Sequence, residues 1–180
     1  HAAAGGVGLA AVQIGKALGM RVIGIAGGPE KCAFVKDELG ADEAIDYKNK
    51  NESIHAALRQ HCPDGIDVYF DNVGGEILDA VLRRLKLKAR IVLCGGISQY
   101  NATAPVPGPQ NLGNLLVQRA RMEGFIVLDH LDQAENVLVM FEGGLEFEHA
   151  DRHVSRPQYT GQCHSCLLVR LLHSPHRSNL

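Results

Sequence analysis

Short runs of apolar, β-branched residues alternate with stretches of helical periodicity along most of this chain, and that alternation leaves few folds open. Val7, Ala11, Ile14 and Leu18 recur at the spacing of one helical stripe, and Gly19 ends it. Residues 20–26, MRVIGIA, then read as a buried strand. In the turn Gly27-Gly28-Pro29, Pro29 suits the first position of a helix whose apolar face is Cys32, Val35 and Leu39 and which Gly40 closes. The cycle continues with a strand at 43–47, an amphipathic helix at 51–61 with Ile54 and Leu58 inward, and a strand at 66–71. A helix carrying Ile77, Leu78, Val81, Leu82 and Leu85 comes next, then a strand at 90–94 and a long loop over 95–109. A helix at 112–121, a strand at 124–128 and a helix at 131–141 complete the pattern. Such alternation predicts an α/β fold, a parallel sheet covered on both faces. Right-handed crossovers make it doubly wound. Because the chain opens at His1 directly on a glycine-rich turn, the sheet is expected to lack its first strand and the chain to be a piece of something longer.

The bulk numbers exclude more than they assign. A length of 180 residues suits one domain with a real core. A net charge of −2 offers no basic field to nucleic acid or a membrane surface. No apolar run approaches the ~18 residues of a membrane span, and no charged-then-apolar leader occurs. The five cysteines are an odd number. Cys32, Cys62 and Cys94 stand singly in apolar settings, as reduced thiols do, so the cytoplasm is the expected compartment. After about residue 148 the texture changes. The segment HADRHVSRPQYTGQCHSCLLVRLLHSPHRSNL is rich in histidine and arginine, has no lysine and shows no sustained helical stripe. A disordered tail, a divergent extension and a segment read out of frame all fit it, the last two better. The organisation expected is therefore a nucleotide-binding domain over 1–148, truncated at both ends, and an unmatched tail over 149–180.

Ala3, Gly5 and Gly8 form A-x-G-x-x-G where the Rossmann-like dinucleotide fingerprint has G-x-G-x-x-G. Small residues let the backbone turn tightly and approach a pyrophosphate, whose charge meets the exposed N–H groups of a helix amino terminus. Glycines at this spacing also serve ordinary strand-to-helix turns; the helix and strand that follow here fit the fingerprint. A phosphate loop ending in Lys-Ser/Thr is excluded, since Gly15-Lys16 is followed by Ala17. Cofactor choice is read at the end of the 20–26 strand, where a carboxylate would bond the adenine ribose and repel a 2′-phosphate. Here stand Ala26-Gly27-Gly28, with no acid until Glu30 and with Lys31 close by. A small turn beside a cation suits NADP(H); the plainer reading makes Lys31 a solvated helix residue.

At this point the sequence resembles a known family. The run Ala2-Ala-Ala-Gly-Gly-Val-Gly8, then Gln13-Ile-Gly-Lys16, Ala26-Gly-Gly-Pro-Glu-Lys-Cys32, Asp71-Asn-Val-Gly-Gly75, Cys94-Gly-Gly-Ile-Ser-Gln-Tyr-Asn101 and Met122-Glu-Gly-Phe-Ile-Val127 are similar to motifs of the medium-chain dehydrogenases/reductases. The likeness covers about residues 2–148 and is strongest to the zinc-independent prostaglandin reductase and 2-alkenal reductase group. It implies that Ala3, Gly5, Gly6, Val7 and Gly8 lie along the pyrophosphate, and that Gly27, Lys31 and Tyr47 surround the 2′-phosphate. It further implies that Asn72 faces the cofactor and that Ile97, Ser98, Tyr100, Phe125, Ile126 and Val127 line the nicotinamide side. Phe125 to Val127 read almost as well as core strand. Tyr100, among Gly, Ser and Asn in a loop, is the candidate catalytic residue, contacting ribose or the substrate oxygen.

The reaction implied is hydride transfer from NADPH to the β-carbon of an α,β-unsaturated aldehyde or ketone, with protonation of the resulting enolate. The alternatives are a catalytically incomplete nucleotide-binding fragment and a quinone oxidoreductase of the same superfamily. The partner expected is a small enal or enone, with no nucleic acid and no membrane, in a homodimeric parent. Cys163-His-Ser-Cys166 with His173 and His176 has only one half of a zinc-site spacing, so no metal is expected. Ser98 lacks the G-x-S-x-G elbow of a nucleophile.

Overall fold

In the computed structural model, which describes residues 2–129, the glycine turn leads into helix α1 (Gly6–Ala17). Strand β1 (Ile23–Ala26) follows and is shorter than the apolar run suggested. Met20 N–H bonds back to the Gly15 carbonyl at 2.9 Å, so Met20 finishes the helix end instead of starting the strand. Val22 N–H is taken by the Asp42 carboxylate at 2.7 Å. Helix α2 (Pro29–Asp37) has Pro29 in its first turn, as expected, and buries Val35 completely. Strand β2 (Glu43–Asp46) pairs in parallel with β1, from Ile23 opposite Glu43 to Ala26 opposite Asp46.

Helix α3 (Ile54–His61) begins where Ser53 caps it, the serine hydroxyl accepting from Ala56 N–H at 3.2 Å. Strand β3 (Ile66–Asp71), helix α4 (Gly75–Leu82) and strand β4 (Leu85–Leu93) come next. Leu85 belongs to this strand and not to the helix before it, which closes with Arg84 N–H on the Val81 carbonyl at 2.8 Å. Helix α5 (Gly113–Gln118) stops at Arg119, whose φ of 47° is left-handed. Strand β5 is Arg121–Gly124, upstream of the run expected to form it, and it pairs in parallel with β4 over 90–93.

The strands form two parallel sheets, β1-β2 and β3-β4-β5. Ala3 N–H donates to the Ile25 carbonyl at 3.1 Å, which ties the start of the glycine turn to β1. One core cluster joins both sheets: Ile25 and Ile45 pack with Leu58, Tyr69, Val81, Leu82, Leu85 and Ile91. A second holds Ala3, Val12, Ala26, Val35 and Ala41 beneath α1 and α2. Parallel strands buried by helices are the doubly wound arrangement. The chain divides into two compact units, His1–Phe125 and Ile126–Leu180. Of the second only 126–129 are described, with Asp129 N–H on the Ile126 carbonyl at 3.3 Å. The helix expected at 131–141 and the tail at 149–180, with its Cys163–Cys166 pair, lie outside the described residues. No described helix is long and apolar enough to cross a membrane.

Asp42 ties α1 to the start of β2. Its carboxylate accepts from the Lys16 ammonium at 2.8 and 2.9 Å and from Val22 N–H at 2.7 Å. The Lys16 hydrogen bond, then that of Val22, holds its pKa below the ordinary 3.8. A lowered carboxyl pKa stabilises the fold above the unfolded value, and that contribution is lost as pH falls through the folded value. Asp42→Asn is therefore expected to lower the melting temperature at pH 7, with the gap to the parent chain closing as pH falls below 3.8. A gap that is constant from pH 7 to pH 3 would assign the effect to packing.

Candidate functional site

The turn ahead of α1 is built by its glycines. Gly5 N–H closes on the Ala2 carbonyl at 2.9 Å, Leu9 N–H takes the Gly5 carbonyl at 2.8 Å, and Gly5 is the N-cap. No side chain caps the helix and no acidic residue stands in its first turn. The N–H groups of the first turn have no intrahelical acceptors, and the macrodipole adds partial positive charge there. Gly5 and Gly6 are exposed while Gly8 is buried. A side chain on Gly6 would meet nothing within 4 Å; one on Gly8 would overlap the Ala2 carbonyl oxygen. Ala3 is buried against β1, and Val7 is half-buried on the helix.

The second cluster lies at the carboxyl ends of β1 and β2. Tyr47 N–H donates to the Ala26 carbonyl at 3.1 Å. The Asp46 carboxylate accepts from Gly28 N–H at 2.7 Å and from Lys48 N–H at 2.9 Å. Those bonds, Gly28 first, hold its pKa below the usual carboxylate value. A Cβ on Gly27 would stand 2.9 Å from Tyr47 Cε1 and 3.0 Å from Lys48 Cε, so both side chains lie over this glycine. Lys31 is on the exposed face of α2. Lys48 was missed in the sequence. Its signal was the run Asp46-Tyr47-Lys48 at a strand end, where an acid that bonds backbone leaves the next cation at the turn.

The third cluster joins the carboxyl ends of β3 and β4. The Asn72 carbonyl accepts from Ile97 N–H at 3.3 Å, and the Val73 carbonyl accepts from Ser98 N–H at 3.1 Å. Tyr100 Oη accepts from Gly96 N–H at 3.3 Å. A Cβ on Gly95 would lie 2.7 Å from Asn72 Oδ1 and 3.3 Å from Tyr100 Oη. Asn72, Ile97, Ser98 and Tyr100 are thus brought together, and Ile97 and Tyr100 are 60% and 70% exposed. Phe125 N–H extends the β5 pairing to the Leu93 carbonyl at 2.9 Å. Ile126 and Val127 belong to the second unit.

Residues 6–142 match the family model described as zinc-binding dehydrogenase. The chain belongs to that family. Over 129 residues the family member is 50% identical to the NADP(+)-dependent 2-alkenal reductase of Nicotiana tabacum, covering 72% of this chain and 37% of the relative. It is 49% identical to prostaglandin reductase 1 of Rattus norvegicus over 127 residues, 71% of this chain and 38% of the relative. Its fold matches the crystal structure of CurA in complex with NADPH from Vibrio vulnificus with a TM-score of 0.70 at 46% identity, covering 79% of this chain and 44% of that one. The chain thus spans well under half the length of the relatives it matches. The expected family and doubly wound fold stand. Among the described residues no group of three or more His, Cys, Asp or Glu is placed to hold a metal ion, so these residues do not fit the zinc of the family's name.

Proposed function

We propose that this chain is the NADP(H)-binding part of an oxidoreductase that reduces the C=C bond of α,β-unsaturated aldehydes and ketones. The observation that carries the reading is the bare amino terminus of α1, presented by exposed Gly5 and Gly6 with no acidic residue to repel an anion. When bound, NADPH supplies the hydride that the β-carbon of the substrate receives. The chain's own residues bind and orient. The N–H groups of Gly6 and Val7 take the pyrophosphate, and Ala3 and Gly8 keep the turn tight. Gly27 leaves room over the β1 end for Lys31, Tyr47 and Lys48 to surround the 2′-phosphate. Asn72, Ile97, Ser98 and Tyr100 form one wall for the nicotinamide, and Phe125 is assigned to the same side. The Tyr100 hydroxyl is assigned to the ribose or the substrate oxygen.

The alkenal and prostaglandin reductases among the relatives support this substrate class over a quinone. A domain running to about residue 148, a homodimeric parent and a cytoplasmic location complete the proposal. Cys32, Cys62 and Cys94, free thiols in the structure, support the reducing compartment.

Titration of the purified chain, followed by cofactor fluorescence, is expected to give a dissociation constant for NADPH about tenfold or more below that for NADH. Equal affinities, or no binding, would remove the reading. A short 2-alkenal and a quinone assayed side by side test the substrate class. Faster oxidation of NADPH with the quinone would favour the quinone reductase, and binding without turnover of either would leave a nucleotide-binding fragment.

A further inference from the structure

Among the described residues Asp71 is the one charged side chain that is buried, with 0% of its surface exposed. A carboxylate carried into an interior costs stability unless donors surround it. Here they do: Val73 N–H donates at 3.0 Å, Gly74 N–H at 3.0 and 3.2 Å to the two oxygens, and the Tyr69 hydroxyl at 3.2 Å. Tyr69 is buried too. Burial first, and then the neighbouring Asp71 charge, push its pKa well above 10.0, so its hydroxyl keeps its proton and remains a donor.

These bonds shape a turn that other bonds use. Gly74 and Gly75 both take left-handed φ, 72° and 65°, as the chain swings from β3 into α4. With Val73 and Gly74 N–H pointing in at the carboxylate, the carbonyls of the same segment face the loop after β4. The Asp71 carbonyl accepts from Cys94 N–H at 2.8 Å and Gly95 N–H at 3.3 Å, the Asn72 carbonyl from Ile97 N–H at 3.3 Å, and the Val73 carbonyl from Ser98 N–H at 3.1 Å. The Ser98 hydroxyl donates to the Val73 carbonyl as well, at 2.5 Å. The loop that presents Ile97, Ser98 and Tyr100 is therefore hung on a turn whose shape is set from beneath by one carboxylate.

We propose that Asp71, backed by Tyr69, is a positioning residue for the nicotinamide half of the cofactor site. It touches no cofactor atom, and it holds the 72–75 turn on which the wall of residues 95–100 rests. The inference rests on the dinucleotide reading above and adds a residue to it. Asp71→Asn keeps the size of the side chain but turns an amide group toward N–H donors, while Tyr69→Phe removes one donor and preserves the packing.

The experiment measures affinity of the full chain for two ligands, NADPH and adenosine 2′,5′-bisphosphate, which carries the adenosine and 2′-phosphate without the nicotinamide. Asp71→Asn is expected to weaken NADPH about tenfold and to leave the bisphosphate within about twofold. For Tyr69→Phe a selective loss of about threefold is expected. Equal loss of both ligands in Asp71→Asn, or unchanged NADPH affinity in both variants, would overturn the inference. Should Asp71→Asn lose its cooperative melt, Tyr69→Phe decides: a selective loss supports the role and unchanged NADPH affinity refutes it. Failure of the parent chain to bind either ligand would instead bring down the dinucleotide reading.

Discussion

Gly8→Ala is expected to abolish measurable NADPH binding and to cost about 1–3 kcal/mol of stability. The reason is where the new methyl group would go. It would overlap the Ala2 carbonyl oxygen and stand 2.7 Å from Ala3 Cα and 2.8 Å from the Ala2 carbonyl carbon. All three neighbours are backbone, and Ala3 is itself bonded to the Ile25 carbonyl at 3.1 Å. Relief therefore requires the turn to move away from β1 or α1 to move away from the turn. Either shift displaces Gly5 and Gly6, whose positions set the direction of the exposed N–H groups. Gly6→Ala is the control, because a Cβ there meets nothing within 4 Å and should leave the melting temperature nearly unchanged. NADPH titration and thermal melting of both variants make the test. An alanine at position 8 with parental affinity would mean that the turn is not the pyrophosphate site.

That glycine was legible because a tight turn before a helix leaves a mark in the sequence. So were β1, β2 and β3, whose apolar or β-branched runs sit between glycine and helical stripes. The misplacement of β5 has a physical cause. Arg121–Gly124 is mostly exposed and, among the described residues, pairs only with β4, so it needs the β4 register and not an apolar sequence. The apolar Phe125, Ile126, Val127 and Leu128 drew the expectation downstream instead. The early start of β4 was present as the alternation Leu85-Lys86-Leu87-Lys88, masked by leucines that also continue the helical stripe of α4.

Asp71 and Lys48 were hidden for a different reason. An aspartate at a strand end reads as solvated until the turn after it is folded, because most of its donors are backbone N–H groups, which leave no mark in the sequence. A lysine in a turn is usually solvated, and only the position of its side chain in the space beside Gly27, where a Cβ would stand 3.0 Å from Lys48 Cε, singles out Lys48.

Removing both cations at the β1–β2 end, Lys31→Ala with Lys48→Ala, is expected to weaken NADPH about a hundredfold and leave NADH within about twofold. The 2′-phosphate carries close to two negative charges, and NADH has only a hydroxyl in its place. Each cation accounts for about tenfold, a modest effect per charge because both side chains stand in water, where salt screens them. Their anchoring differs. Lys31 stands on the first turns of α2, while Lys48 has its backbone fixed by Asp46, which also holds Gly28 N–H at 2.7 Å. Asp46 is an anion beside a proposed anion site, so the lysines must also offset its repulsion. Asp46→Asn is not a simple gain, since the carboxylate shapes the turn that presents Lys48. The double variant separates selectivity from folding: the NADPH to NADH affinity ratio should fall toward one while the melting temperature changes little. The parental ratio should also shrink as ionic strength rises, and that of the double variant should not. A parallel fall of both affinities would show that these lysines stabilise the turn without reading the phosphate.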